Sequence, residues 1–468
     1  MKRGLGLFGF AALAAVGALA LAAMQLPAKQ LTRTAEAQEG TSLRDLAGRA
    51  TGSDSSAADE AVAGLRAAGP AGLAALMDAN AEAIRYHRDG GVSKAAANDS
   101  WARVCKAIDR VAAQKDAWAS GLYWYTDLEA AKSVAKQSGK PILSLRLLGT
   151  LDTEYSCANS RFFRTVLYAN AEVSQTLSDR FVLHWQSVRP VPKVTIDFGD
   201  GRVVERTITG NSIHYVLSAD GTVIDGIPGL YGPKDFLRLL NTTTKANAAF
   251  RSDVRGAGML RQWHTAQAGR IARDWQNDLQ SIGAIAPPAE AKGKSGGHPT
   301  AVRAAGRAVG KSAGEMRLVV AIAPDVKAME AASTQEVWVK VAAMHAEAAR
   351  LDATSRAVIA SKNPAALESE GLVTPGSSTE GALTRIVQNF ERAISEDSVR
   401  NEFTFHRQIH LWLAAGKLPD GKAATDLAAL NERVYADLFL TPSSDPWLGL
   451  LPADTYSALV NDGVCRKR

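Results

Sequence analysis

The stretch Gly139-Lys140-Pro141-Ile142-Leu143-Ser144-Leu145-Arg146-Leu147-Leu148 decides the fold class. Ser138-Gly139-Lys140-Pro141 ends a helix, because glycine leaves the helical backbone easily and the residue before a proline is pushed out of it. The apolar run from Pro141 to Leu148 is short, lacks a helical period and reads as a buried strand. Upstream, Thr126 is placed to cap a helix over Leu128–Gln137. Downstream, helices are expected at about Ser160–Leu167 and Ala171–Leu177, then a strand from Phe181 to Val188. Val194–Phe198 and Val203–Ile208 flank Gly199-Asp200-Gly201, a hairpin pattern. Ile213–Leu217 and Val223–Ile227 are two more strands joined by an Asp220-Gly221 turn, and a helix over Pro233–Leu240 closes the unit. Helices and strands alternate, so residues 124–241 form an α/β layer.

The flanks have a different period. Residues 42–115 read as helices, with Ala61–Ala68 and Ala71–Leu76 separated by a Gly69-Pro70 break, similar to one HEAT-type hairpin. A third helix, about Ser100–Lys115, carries Trp101, Val104, Ile108 and Val111 at spacings of three and four, with Cys105 beside that stripe as core filler. Residues 255–283 read as one connecting helix, and 287–314, rich in Gly, Ala, Lys and Pro, as a linker. Residues 315–468 read as a helical C-terminal domain, with helices at Ser333–Ser361, Gly381–Ala415 and Ala423–Leu438 and an irregular end that Trp447 is expected to anchor. The expected fold class is α+β: an α/β domain flanked by an N-terminal helical unit and a C-terminal all-α domain.

The 468 residues include 46% hydrophobic and 22% charged side chains, ordinary for a folded protein and too apolar for general disorder. The formal charge is +6, but without the first 37 residues 50 basic side chains face 47 acidic ones. That near-balance lacks the concentrated basic charge that nucleic acid demands. Three cysteines rule out a disulfide scaffold. Lys2 and Arg3 precede an apolar run from Gly4 to Leu26, and Ala35-Glu36-Ala37 follows as a small-x-small cleavage site. Residues 1–37 therefore read as an export signal or an uncleaved membrane anchor, since 23 apolar residues reach across a bilayer. Both readings place the protein outside the cytoplasm, periplasmic or extracellular, touching a membrane only through that segment. The expected partners are proteins of the cell envelope.

The middle unit resembles the thioredoxin superfamily, specifically its exported bacterial branches. The resemblance rests on Ala130-Ala131-Lys132 through Gly139-Lys140-Pro141-Ile142-Leu143, on Cys157-Ala158-Asn159-Ser160, and on Val173, thirteen residues past Ser160 in Asn170-Ala171-Glu172-Val173. Phe181-Val182-Leu183 and Val216-Leu217 to Asp220-Gly221 fit its later strands and turn. In that family the first cysteine of Cys-x-x-Cys opens a helix whose N-terminus favours the attacking thiolate, and the second resolves the mixed disulfide. Cys157 matches the first position, while Ser160 stands in the second. The resemblance thus implies a Cys-x-x-Ser site able to attack a disulfide but unable to release its product internally. The family's cis-proline beside the cysteine aligns with Ser212, and Asp152 and Glu154 set negative charge near the thiol, which opposes its ionisation.

Three other groups stand out. Glu402, His406 and His410 recur every fourth residue, so they share a helix face on which two imidazoles can take one metal ion, with Asp397 and Asn401 a turn earlier as oxygen donors. The competing reading is a polar face whose histidines bond neighbouring carboxylates. His184 and His214 fall in strands and read as structural. Cys465, among Arg466, Lys467 and Arg468, reads as an exposed thiol open to intermolecular pairing.

The leading expectation is an exported thioredoxin-fold protein acting as a scaffold or interaction module of the envelope, with weak or no redox turnover. The alternative is monothiol thiol–disulfide exchange, with Cys157 as nucleophile and Ser160 donating a hydrogen bond to its thiolate. A third, more distant, is metal-dependent chemistry on the helical domain through Glu402, His406 and His410. No cofactor is expected, and the sequence leaves enzymatic activity and oligomeric state open.

Overall fold

The computed structural model describes residues 42–89, 99–207, 210–250, 256–283, 335–366 and 381–448. The expected export segment (1–37), the linker (287–314) and Cys465 lie outside the described residues. The protein is α+β. Its centre is a four-stranded mixed sheet in the order β2-β1-β5-β6. The strands are β1 (Ile142–Leu148), β2 (Val182–Arg189), β5 (Ser212–Leu217) and β6 (Val223–Pro228). A separate hairpin pairs β3 (Lys193–Asp197) with β4 (Val203–Thr207), and Phe198 near its tip is largely exposed.

β1 is buried along its whole length, as its unbroken apolar run requires of a central strand. It runs parallel to β2 and antiparallel to β5, and β5 pairs antiparallel with β6. Its two polar residues are answered by their registered partners on β2: Ser144 meets His184 Nδ1 at 2.8 Å, and Arg146 donates to Gln186. The helix before β1, Leu128–Ser138, starts at Asp127 rather than Thr126, the Asp127 carboxylate accepting from Ala130 N at 2.7 Å. It stops at Gly139, whose φ of 71° a side chain would resist. Between β1 and β2 come Ala158–Phe162, which continues as a π-helical turn to Leu167, and Ala171–Arg180, capped by Asn170.

Two cores result. The N-terminal helices pack around Leu65, Leu73, Leu76 and Ile108, with Val104 and Val111 of the expected stripe beside them. The second core runs from the sheet into the C-terminal helices, so β1, β5 and β6 share one apolar interior with Ile394, Ile409, Trp412 and Tyr435. Arg66 joins the two by donating to Val111 O at 2.8 Å and to Trp124 O.

The C-terminal region departs from expectation in three places. The single helix expected over Ser333–Ser361 is broken into Gln335–Met344, a short turn at Ala346–Ala349, and Ala353–Lys362, because Asp352 caps a new start by accepting from Ser355 N. Gly381–Ala415 is continuous, but widens into a π-helical turn at Asn401–His406. Trp447 does not anchor the end, being 48% exposed; Leu448 is buried instead, and Arg189 grips the segment through Thr441 O and Asp445 O.

Candidate functional site

Two buried centres lie near opposite ends of the sheet. The first surrounds Cys157. The backbone leaving β1 returns so that Cys157 N donates to Leu148 O, and Cys157 becomes the N-cap of the helix Ala158–Phe162 with extended φ and ψ. The thiol has no solvent exposure. Its sulfur lies 2.8 Å from Ser212 Oγ, and its one proton has Ser160 Oγ at 3.4 Å and Asn211 O at 3.6 Å as acceptors. Ser212 thus borders Cys157 directly. Ser160 spends its own proton on Cys157 O at 2.8 Å, so toward the sulfur it accepts rather than donates. Above these groups sits the C-terminal region: Tyr435 donates to Asn211 O at 3.1 Å, and Asn211 Nδ2 donates to Thr441 Oγ1. Glu154 turns to Lys362 at 3.2 Å, away from the sulfur. The centre is a small, neutral, hydrogen-bonded nest with no solvent exposure at the sulfur.

The second centre is charged. Asp225, in the middle of β6, faces the helix bearing His406 and His410. His406 Nε2 lies 3.3 and 3.4 Å from the two Asp225 oxygens, and His410 Nδ1 lies 3.8 Å from Oδ1. His264, from the helix Gly256–Ser281, brings its Nδ1 to 2.8 Å from that of His410. Thr243 Oγ1 and Gly226 N each donate to the Asp225 carboxylate at 2.8 Å. Behind His406, Glu402 Oε2 bonds Nδ1 at 2.8 Å, and Arg270 holds the other Glu402 oxygen at 3.0 Å. Asp225 and the three histidines are each about 1% exposed.

The electrostatics follow from this crowding. Burial works against the Asp225 carboxylate, but the charged His406 and the donors around the group outweigh it and hold it well below the usual carboxylate range. Glu402 is likewise opposed by burial and pulled down by His406, Arg238 and Arg270. Burial disfavours a charge on His406, yet Asp225 and Glu402 raise it to about 9. His410 is driven down by burial and by its cationic neighbour His406, and His264 falls to about 4, chiefly through burial.

A cavity of about 390 Å³ opens beside this centre, lined by Arg238, Arg270, Asp274, Trp275 and Asp278 among others, with Glu402 in its wall. Of the residues singled out in the sequence, the fold brings His406 and His410 to one point but turns Glu402 outward, onto His406. Asn401 is spent on Leu230 O. Two members escaped sequence reasoning. Asp225 was visible only as an acid inside an apolar strand, and His264 only as a histidine on an amphipathic helix, since neither has a local partner. His184 and His214 are structural neutral imidazoles, the latter bonded to Tyr168 Oη at 2.6 Å. Cys105 is half-buried beside the N-terminal core, and burial pushes its thiol up to about 12.

Comparison with protein-family models, with curated proteins and with solved structures finds no match to the chain. The functional reading therefore rests on the two centres themselves.

Proposed function

We propose that the chain is an exported protein whose residues 124–241 form a thioredoxin-like domain of the Cys-x-x-Ser type, serving as an envelope scaffold or interaction module with little or no redox turnover. The strand order, the cysteine at a helix start and Ser212 against its sulfur support the thioredoxin-like part of this reading. One observation carries the functional part: the Cys157 sulfur has no exposure and is covered from the C-terminal region through Asn211, Tyr435 and Thr441. Thiol–disulfide exchange needs a sulfur that another sulfur can approach in line. Here the approach requires the C-terminal region to lift, so binding rather than turnover is the activity this domain is built for.

The test is alkylation of Cys157 in the folded full chain, with Cys105 and Cys465 replaced by serine. The expected rate is at least about a thousandfold below that of the unfolded chain, because only opened molecules react. A rate within tenfold of the unfolded chain, with a midpoint well below about 8.5, would overturn this reading in favour of monothiol exchange. Mass analysis of the N-terminus in the exported fraction checks the address.

A further inference from the structure

We propose that Asp225, His406 and His410 form a binding site for one divalent transition-metal ion of the zinc class, with Glu402 as the group that orients His406. This goes beyond the scaffold reading and does not depend on it.

The distances make the case. A charge-assisted hydrogen bond between imidazolium and carboxylate closes to about 2.7–2.9 Å. The outer contact, Glu402 to His406 Nδ1, has that length at 2.8 Å. The inner contacts do not: His406 Nε2 and His410 Nδ1 stand 3.3 and 3.8 Å from Asp225 Oδ1. Two ligands held at about 2.0–2.1 Å on one tetrahedral ion stand about 3.3 Å apart, so His406 and Asp225 are spaced as ligands and the outer pair as a hydrogen bond, while His410 Nδ1 at 3.8 Å would move closer and give up its 2.8 Å contact with His264 on binding. One ligand atom from each of Asp225, His406 and His410 lies within 4.8 Å of the other two.

The surroundings agree with that division. A metal-bound histidine characteristically gives its second nitrogen to a carboxylate, which fixes the ring and strengthens the ligand. Glu402 holds that place, and Arg270 fixes Glu402 in turn. Thr243 and Gly226 N orient the Asp225 carboxylate. His406 lies at the end of a π-helical turn, a widening that often marks functional positions in helices. An ion pair between Asp225 and His406 would account for one imidazole; it gives no reason for His410 to be buried beside the same carboxylate, with His264 bonded behind it. Two imidazoles and one carboxylate favour a borderline ion such as Zn²⁺, Co²⁺ or Fe²⁺ over Mg²⁺ or Ca²⁺. The three ligands come from β6 and from the helix that ends at Ala415, so the ion would fasten the C-terminal region to the sheet edge.

The experiment uses the full chain stripped with a chelator, dialysed, and titrated with Co²⁺, then displaced with Zn²⁺. The expected result is one Co²⁺ per chain with visible d–d absorption and no thiolate charge-transfer band, unchanged when all three cysteines are serine. Bound Zn²⁺ should raise Tm by several degrees. His410→Gln, which leaves the Asp225–His406–Glu402 contacts in place, should weaken binding at least about a hundredfold. Glu402→Gln should weaken it about 10–100-fold while keeping the same spectrum. Absence of Co²⁺ binding at 100-fold excess, with Tm indifferent to chelator, would overturn the proposal and leave a buried ion-pair network; so would full-strength binding by a folded His410→Gln chain. Should that variant fail to fold, the wild-type spectrum and stoichiometry decide alone.

Discussion

Cys157 and Asp225 are equally hidden, yet the fold treats them in opposite ways. Around Cys157 the neighbours are Ser160, Ser212 and a peptide oxygen, all neutral, and the sulfur sits among hydrogen bonds that carry no net charge. Around Asp225 the neighbours are imidazoles, with Glu402, Arg270 and Arg238 behind them. Burying charge costs several kcal/mol per ion unless partners are well placed, and it is seldom retained where apolar packing would serve. A neutral nest is a cheap way to fill a corner of the sheet. The charged centre needs a reason, and a ligand site supplies one.

The largest expected effect tests that asymmetry directly. Asp225→Ala leaves His406 without one of its two carboxylate partners, together with a cavity in the last strand. Truncating one member of a buried charged set typically costs about 3–5 kcal/mol, so urea unfolding should show a loss of that size. A loss under about 1 kcal/mol would mean that the centre is slack and that its charges are hydrated in solution.

How much of this was legible beforehand divides along the same line. The succession of helices and strands in the α/β unit could be read because Pro141–Leu148, Phe181–Val188 and Val223–Ile227 are apolar runs bounded by turn residues, and such signals are local. Cys157, Ser160 and Ser212 could be named together only because a family resemblance supplied the long-range step. The charged centre was half legible. His406 and His410 share a face by helical spacing, but Asp225 lies 181 residues from His406 and His264 lies 146 from His410. No periodicity reports such separations. Trp447 was misread for a related reason: its size marks it as an anchor, while the chain direction set by Arg189 turns Leu448 inward instead.

The second effect comes from acid. On the neutral side of the molecule, His184 and His214 are buried uncharged, and burial lowers each to about 3, with Arg146 adding to the effect on His184. In the unfolded chain both titrate near 6.5. Between those values the unfolded state binds more protons, so stability falls as pH drops from 6.5 toward 3. The loss from pH 7 to pH 5 is about 2 kcal/mol for each histidine. Asp225 and Glu402, held below the ordinary carboxylate range, stay ionised through that interval and add almost no slope. Denaturant midpoints at pH 7, 6 and 5 should fall accordingly, with the lowered His264 and His410 adding slope of the same sign, and His184→Asn should remove about 2 kcal/mol of the loss. A flat profile would show that the folded chain takes up protons on these imidazoles as readily as the unfolded chain does, and the contrast between a neutral and a charged half would lose its support.

The smallest effect is the most informative about Cys157. If the nest is structural, Cys157→Ala deletes one buried heavy atom and the weak bonds it makes, at a cost of about 1 kcal/mol, in line with other single-atom deletions in cores. The Tyr435 bond to Asn211 O does not pass through the sulfur and should survive, so metal binding at the other end of the sheet should be unchanged. Urea unfolding and the Co²⁺ titration on one preparation read both quantities. A thiol kept for reactivity predicts the reverse: exchange centres are strained and close-packed around a poised sulfur, and relieving them stabilises the protein. A gain in stability on Cys157→Ala would therefore count against the neutral nest more strongly than any loss of partner binding, because it would show the fold holding Cys157 at its own expense.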